Sequence, residues 1–268
     1  MRMQVIVISL PVAQERRRFQ ERQLDELGLE YELSDAVGWQ DVDAARGTLA
    51  ADQWERVLMP TELACFLSHY QAWQKIAEGD RPILVLEDDV LLSSRIPKFL
   101  DCAENLKNID HISLETRLRY KLLGQQVKID SEFELARLYQ DRTGAAAYIL
   151  WPRGAAHLLQ RAKVCGAALA DAFIANDYGL MSYQSIPALA IQSDIAHFYN
   201  IVNPLQTESY IQARGRRESY TANGLLQWQM KWRRFSAQLR MAGRWVSTFR
   251  NSRRQILRPL PIDFSAKK

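Results

Sequence analysis

The chain has 268 residues, 47% of them hydrophobic and 25% charged, which is ordinary for a globular protein of one large domain or one domain with an appendage. No apolar run is long enough to cross a membrane. The formal net charge of +4 conceals a division: residues 214–258 hold twelve Lys or Arg and one acid, Glu218, whereas residues 1–213 carry a net −8.

The N-terminus places a basic residue ahead of an apolar stretch, as a secretory leader would. That stretch is short and runs into a charged cluster instead of a small-residue cleavage site, so it predicts a first strand and a cytoplasmic protein. Residues 4–10 form this strand, and 13–29 follow as a helix with Phe19, Leu24 and Leu27 on its period and Gly28 at its end. "EYELSDAV" predicts a short second strand; the polar stretch 40–58 has no assignment. Residues 61–79 predict a helix capped by Thr61 after Pro60, with Leu63, Phe66, Leu67, Tyr70, Trp73 and Ile76 on its apolar face and Gly79 at its end.

A strand at 82–86 follows, then a helix near 96–107. "DHISLET" (110–116) and "GAAAYILW" (144–151) predict further strands. A helix at 152–162 begins with Pro152, a second is expected over 169–183, and "PALAIQ" (187–192) predicts a last strand. Strands alternating with helices indicate an α/β protein with a mainly parallel sheet. Cys65, Cys102 and Cys165, widely spaced and without a CxxC pair, predict buried free thiols and neither a disulfide framework nor a zinc site. Beyond about residue 214, Trp228, Trp232, Phe235, Leu239, Val246 and Phe249 recur at near-helical spacings among arginines. They predict a basic amphipathic helix or helix pair, with Gly243 placed to break it. This tail, 214–268, is set apart from a body at 1–213.

The stretch that carries chemistry is "RPILVLEDDVLLSSR" (81–95). A buried strand ends in Glu87, Asp88 and Asp89, three carboxylates that repel one another unless something positive joins them. Ligands of open α/β sheets bind at the carboxyl ends of strands. Oxygen donors clustered there suit Mg²⁺ or Mn²⁺, which completes its shell with substrate phosphates. A solvated acidic turn is the plainer alternative. The DxDxT pattern of haloacid dehalogenases is missing, and a phosphate-accepting receiver domain would be about half this length.

Five features in order, Arg16-Arg17, Cys65-Phe66-Leu67-Ser68-His69, Glu87-Asp88-Asp89, Gly144 to Tyr148, and Asp171 in "LADAFI", resemble glycosyltransferase family 25, which includes lipooligosaccharide galactosyltransferases of Gram-negative bacteria. The likeness spans roughly residues 3–195. It implies a GT-A-like (Rossmann-like) fold, a nucleotide-sugar donor, a metal at an acidic motif standing in for the usual DxD, and transfer with inversion, most often of galactose from UDP-galactose.

On this resemblance Asp89 and Asp88 are the expected metal ligands, with His197 a late third, for Mn²⁺ or Mg²⁺. Asp171 is the expected catalytic base, with Asp177 in reserve; either could instead be a helix-face carboxylate. Ser9 and Leu10 end the first strand where the nucleotide would sit, and Arg16 or Arg17 would approach the diphosphate. Ser68, His69, Glu87 and Glu115 complete the expected donor site, with Glu87 either a metal ligand or an orienting group and His69 either functional or a packed, hydrogen-bonded histidine. The acceptor would be a lipooligosaccharide or related surface glycan. The basic tail suits an anionic membrane at the inner face, or packing on the body, with nucleic acid a weaker fit. The alternatives are a glucosyl- or N-acetylhexosaminyltransferase on the same scaffold, or a non-catalytic protein that binds membrane or nucleic acid through its tail.

Overall fold

A computed structural model of the chain describes residues 3–141, 144–205 and 224–264. The first apolar run becomes β1 (Val5–Ser9), buried throughout, and leads into α1 (Gln14–Leu27), which stops where Gly28 takes a left-handed conformation at φ 64°. The elements β2 (Tyr31–Asp35), α2 (Val42–Arg46), α3 (Pro60–Glu78), β3 (Ile83–Glu87), β4 (Val90–Leu92) and α4 (Ile96–Ala103) follow. Next come β5 (His111–Ser113), β6 (Lys121–Lys128), β7 (Glu134–Gln140), β8 (Ala147–Leu150), α5 (Pro152–Cys165), α6 (Ala170–Ala175), β9 (Ser182–Ile186) and β10 (Ala190–Gln192). A 3-10 segment (Ser193–Tyr199), α7 (Gly224–Thr248) and β11 (Arg253–Gln255) complete the main elements.

Nine strands form one sheet in the order β11-β6-β7-β9-β5-β8-β3-β1-β2, and β10 pairs with β4 in a separate antiparallel ribbon. Successive strand residues point to opposite faces, and both faces here are covered. Ile6, Ile8 and Val85 pack with α3, α5 and α6 on one side; Val5, Val7, Leu84 and Leu86 pack with α4 on the other. Trp73 anchors the first layer, fully buried, edge-on to Phe66 at 5.6 Å and stacked on Phe173 at 5.8 Å.

Several expectations need correction. The sheet is mixed, not mainly parallel. β1–β2, β1–β3 and β5–β9 are parallel, but β8 enters antiparallel between β3 and β5, and β6, β7 and β11 add further antiparallel pairs. The helix expected over 169–183 ends at Ala175, because Asp177 turns back to accept the Gly179 N–H and residues 182–186 pair with β5 and β7. Thr61 does not cap α3. Glu62 does so from within the first turn, accepting the Met59 N–H at 2.9 Å. The cysteines are free, but Cys165 is exposed. Gly243 does not interrupt α7.

The boundary expected at 213/214 lies outside the described residues. Beyond it, β11 pairs with β6, Thr116 Oγ1 donates to Leu257 O at 2.8 Å, and Ser94 N donates to Asp263 O at 2.7 Å. The chain's last described segment is therefore fastened to the edge of the same sheet.

Replacing Trp73 removes the centre of an aromatic group that has no room to collapse. Trp73→Ala should cost about 3–5 kcal/mol, read as a lowered urea midpoint.

Candidate active site

Parallel pairing sets Ile8 beside Glu87, so the chain leaves β1 next to the acids that end β3. Ser9 Oγ donates to Asp88 Oδ2 at 2.6 Å, and Arg16 Nη1 donates to Asp88 Oδ1 at 2.9 Å. Arg16 lies on the inner face of α1 with Phe19, Gln20 and Leu24, all buried. Its guanidinium also lies 3.9 Å from Asp89. Asp88 is thus spent on holding α1, β1 and β3 together. Arg17 turns the other way, donating to Ser9 O at 2.7 Å, Leu10 O at 3.1 Å and Asp35 Oδ1 at 2.6 Å, which braces the ends of β1 and β2.

Glu87 and Asp89 remain at the strand end, their side chains 25% and 16% exposed. One amide serves both: Gln192 Nε2 lies 3.3 Å from Glu87 Oε2 and 3.5 Å from Asp89 Oδ1. The β4–β10 ribbon delivers it, and Ser193 N closes the turn by donating to Asp89 O at 2.9 Å. Burial, followed by mutual repulsion within the acid cluster, pushes each carboxyl up to about 7. Two crowded hard oxygen donors that resist ionisation form a set a divalent cation would relieve, so the expected ligand Asp89 would hold a metal with Glu87 and not with the expected Asp88, whose oxygens Ser9 and Arg16 occupy.

Behind Glu87 runs a buried chain. Trp73 Nε1 donates to the Tyr148 hydroxyl at 2.9 Å, that hydroxyl meets His69 Nδ1 at 3.0 Å, and His69 Nε2 meets Glu87 Oε1 at 3.3 Å. Burial pushes His69 down to about 4, so the ring is neutral. The network then assigns the Tyr148 proton to Nδ1 and leaves Nε2–H to donate to Glu87. Cys65, one turn before His69, brings its Sγ within 4.8 Å of the His69 and Glu87 donor atoms. Burial raises its thiol well above the usual value, and both His69 nitrogens are engaged, so this trio reads as a packed hydrogen-bonded group and not as a soft-metal site.

Residues 3–174 match glycosyltransferase family 25 (LPS biosynthesis protein). The chain belongs to this family. It is 28% identical over 200 residues to the lipooligosaccharide biosynthesis protein lic2B of Haemophilus influenzae, covering 69% of this chain and 74% of that protein. It is 26% identical over 229 residues to the lipooligosaccharide biosynthesis protein lex-1 of the same species, covering 70% and 75%. Similarity also extends to procollagen galactosyltransferase 1-A of Xenopus laevis, 33% over 97 residues, but there it covers 32% of this chain and only 16% of the other.

The other expected residues of this family 25 chain separate into two groups. Asp171, in the first turn of α6, lines a cleft with Asp141, Gly144, Tyr178 and Arg244, within electrostatic reach of His69 and Glu87. Burial raises its carboxyl above the usual range, against a backbone hydrogen bond from Ala172. Glu115 is buried on the Glu87 side, accepting the Ala146 N–H at 2.9 Å, and burial pushes it up to about 8. Asp177 reaches the same cleft but is held by His157 at 3.0 Å and Arg161 at 3.5 Å. Ser68 is a brace, accepting the Val37 N–H and donating to Ala64 O. His197 is exposed, its ring 4.0 Å from Phe198, and does not join the Cys65, His69 and Glu87 group.

Sequence reasoning missed Gln192 and the buried Lys121. The lysine Nζ meets Asp141 Oδ2 and Gln184 Oε1, both at 2.6 Å, Glu115 O at 3.0 Å and Ser113 Oγ at 3.1 Å. It fixes β5, β7 and β9 between the acid cluster and the cleft. Tyr148 stood within a quoted motif, yet only its apolar strand context was legible.

Glu87, Asp89 and Glu115 all have folded values above the roughly 4 of an unfolded carboxyl. Between those limits the folded state holds protons that the unfolded chain has released. In chelator, stability should therefore fall as pH rises from about 5 to about 8. Urea midpoints across this range should show a shallower fall in Glu115→Gln.

Proposed function

We propose that the protein transfers a hexose, galactose from UDP-galactose foremost, with inversion onto a lipooligosaccharide or related surface glycan. The reaction would run on a GT-A-like scaffold at the cytoplasmic face of the inner membrane. The observation that carries this reading is the split of the acid motif: Asp88 is neutralised inward, while Glu87 and Asp89 stay together at the strand end. Family membership supports the reaction class, the names of the Haemophilus relatives support the acceptor class, and that of the frog relative supports galactose.

Glu87 and Asp89 would hold Mn²⁺ or Mg²⁺, which when bound neutralises charge on the departing diphosphate. The chain's own groups do the rest. His69 keeps Glu87 oriented, and Arg16 holds the Asp88 loop in register. The ends of β1 and β2, braced by Arg17, border the nucleotide. Asp171 accepts the acceptor hydroxyl proton as that oxygen bonds to the anomeric carbon; the bond from that carbon to the diphosphate breaks, and the nucleoside diphosphate leaves with the electron pair. A buried carboxylate with a raised pKa is matched to such a proton. Asp177, already paired with His157 and Arg161, takes no part.

A panel of UDP-sugars with Mn²⁺, Mg²⁺ or EDTA tests the donor and the cation together, and separates galactose from glucose and N-acetylhexosamine. Asp89→Asn should lower transfer by about 10²–10³-fold. Asp171→Asn should lower kcat by about 10²–10⁴-fold with little change in donor KM. Full activity in Asp89→Asn would overturn the metal assignment.

A further inference from the structure

α7 carries two faces on opposite sides of one helix. Facing the body, Met230, Ala237 and Thr248 are buried and Arg233 donates to Asp52 O at 2.8 Å. On the same side Met241 O accepts from Gln140 at 2.6 Å, and Arg244 lies 5.1 Å from both the Tyr139 and Tyr178 rings. Facing out, Trp228, Trp232, Phe235, Leu239 and Val246 are 48–66% exposed. At helical spacing these five fall within a wedge about 60° wide and about 27 Å long, opposite the packing face. The Trp228 and Trp232 rings lie parallel at 6.2 Å within this stripe. Between residues 224 and 258 there are nine Lys or Arg and no Asp or Glu. Among the described residues no helix is long and apolar enough to cross a membrane.

We infer that this outer face of α7 docks on an anionic lipid surface, the aromatic stripe entering the headgroup boundary, Lys231 beside it, and the exposed Arg234 and Arg240 reaching round from the body side of the helix to lipid phosphates. Charge decides between occupants. A second copy meeting the same face by two-fold symmetry would press these basic residues against each other. A single convex helix offers a nucleic-acid backbone none of the groove that single-strand binders provide. The inner face of the same helix places Arg244 on the wall of the cleft that contains Asp171. Docking would therefore hold that cleft one helix diameter, roughly 10 Å, from the lipid surface, within reach of the glycan of a lipid-linked acceptor. This last placement rests on the proposed transfer reaction; lipid binding does not.

The test is co-sedimentation of the full chain with neutral phosphatidylcholine vesicles and with vesicles containing roughly one-third phosphatidylglycerol. Wild type should bind the anionic vesicles alone, more weakly as salt rises. Trp232→Glu/Phe235→Glu, at exposed positions remote from the cleft, should weaken binding by about tenfold or more. Its urea midpoint and its transfer to a soluble acceptor should be unchanged. The inference is overturned if wild type fails to bind, or if the double variant binds equally well. It also falls if the stripe instead mediates dimerisation in light scattering or oligonucleotide binding that the variant abolishes. Absence of transfer in both proteins would strike the reaction proposal while leaving the vesicle result decisive.

Discussion

The buried contact of Asp88 with Ser9 and Arg16 is the constraint on which the arrangement of the acid cluster depends. Three adjacent carboxylates cannot all face a low-dielectric strand end without a counter-charge. Arg16 reaches in from α1 and Ser9 from β1, and between them both oxygens of Asp88 are satisfied. A buried pair of this kind is weak support for stability but strongly destabilising to break, at about 3–5 kcal/mol when one partner is lost. Its larger effect here is geometric. With Asp88 turned inward, Glu87 and Asp89 share the Gln192 amide and point to one place.

A second level of support lies behind those acids. The row Trp73, Tyr148 and His69 passes through the hydrophobic layer between α3 and the sheet, so orientation of Glu87 is set by core packing and not by solvent. Lys121 has the corresponding role farther along the sheet. A fully buried ammonium with four polar neighbours pairs with the Asp141 carboxylate and draws in the Glu115 backbone carbonyl, Ser113 and Gln184 from the neighbouring strands and their ends. Acid cluster and cleft thus stand on two polar networks that hydrophobic periodicity does not reveal.

That explains what could be read in advance. β1, α1, α3, β3 and α5 were legible because each buries a face whose apolar period is written locally. The β6–β7 hairpin was not, since β6 is buried only in its first half and exposed beyond Gly124. β9 was not legible, its first two residues falling in the expected 169–183 helix, because Ser182, Gln184 and Ser185 are buried polar residues, kept in the sheet by pairing on both sides. In the site, the acid run and His69 were legible from residue type and motif. Gln192 and Lys121 are chemically generic and far away in sequence, and only the fold brings them in. Asp177 showed the opposite limit, an acid whose partners His157 and Arg161 could not be paired with it from sequence.

The rims of the sheet add a feature of their own. An outermost strand leaves backbone donors and acceptors unpaired, an open invitation to another chain. Here one rim is β2, bearing Glu32 and Asp35, and the other is β11, only three residues long and bearing Arg253 and Arg254. The acids of β2 are paired with Arg17 and Lys75, so that rim carries charged side chains, and the basic rim is too short to template a long ladder. A chain ending before residue 253 would lack that basic rim and leave β6, with Leu122 and Leu123 near its start, outermost. β11 thus covers the apolar start of β6 and leaves outermost only its exposed second half, beyond Gly124.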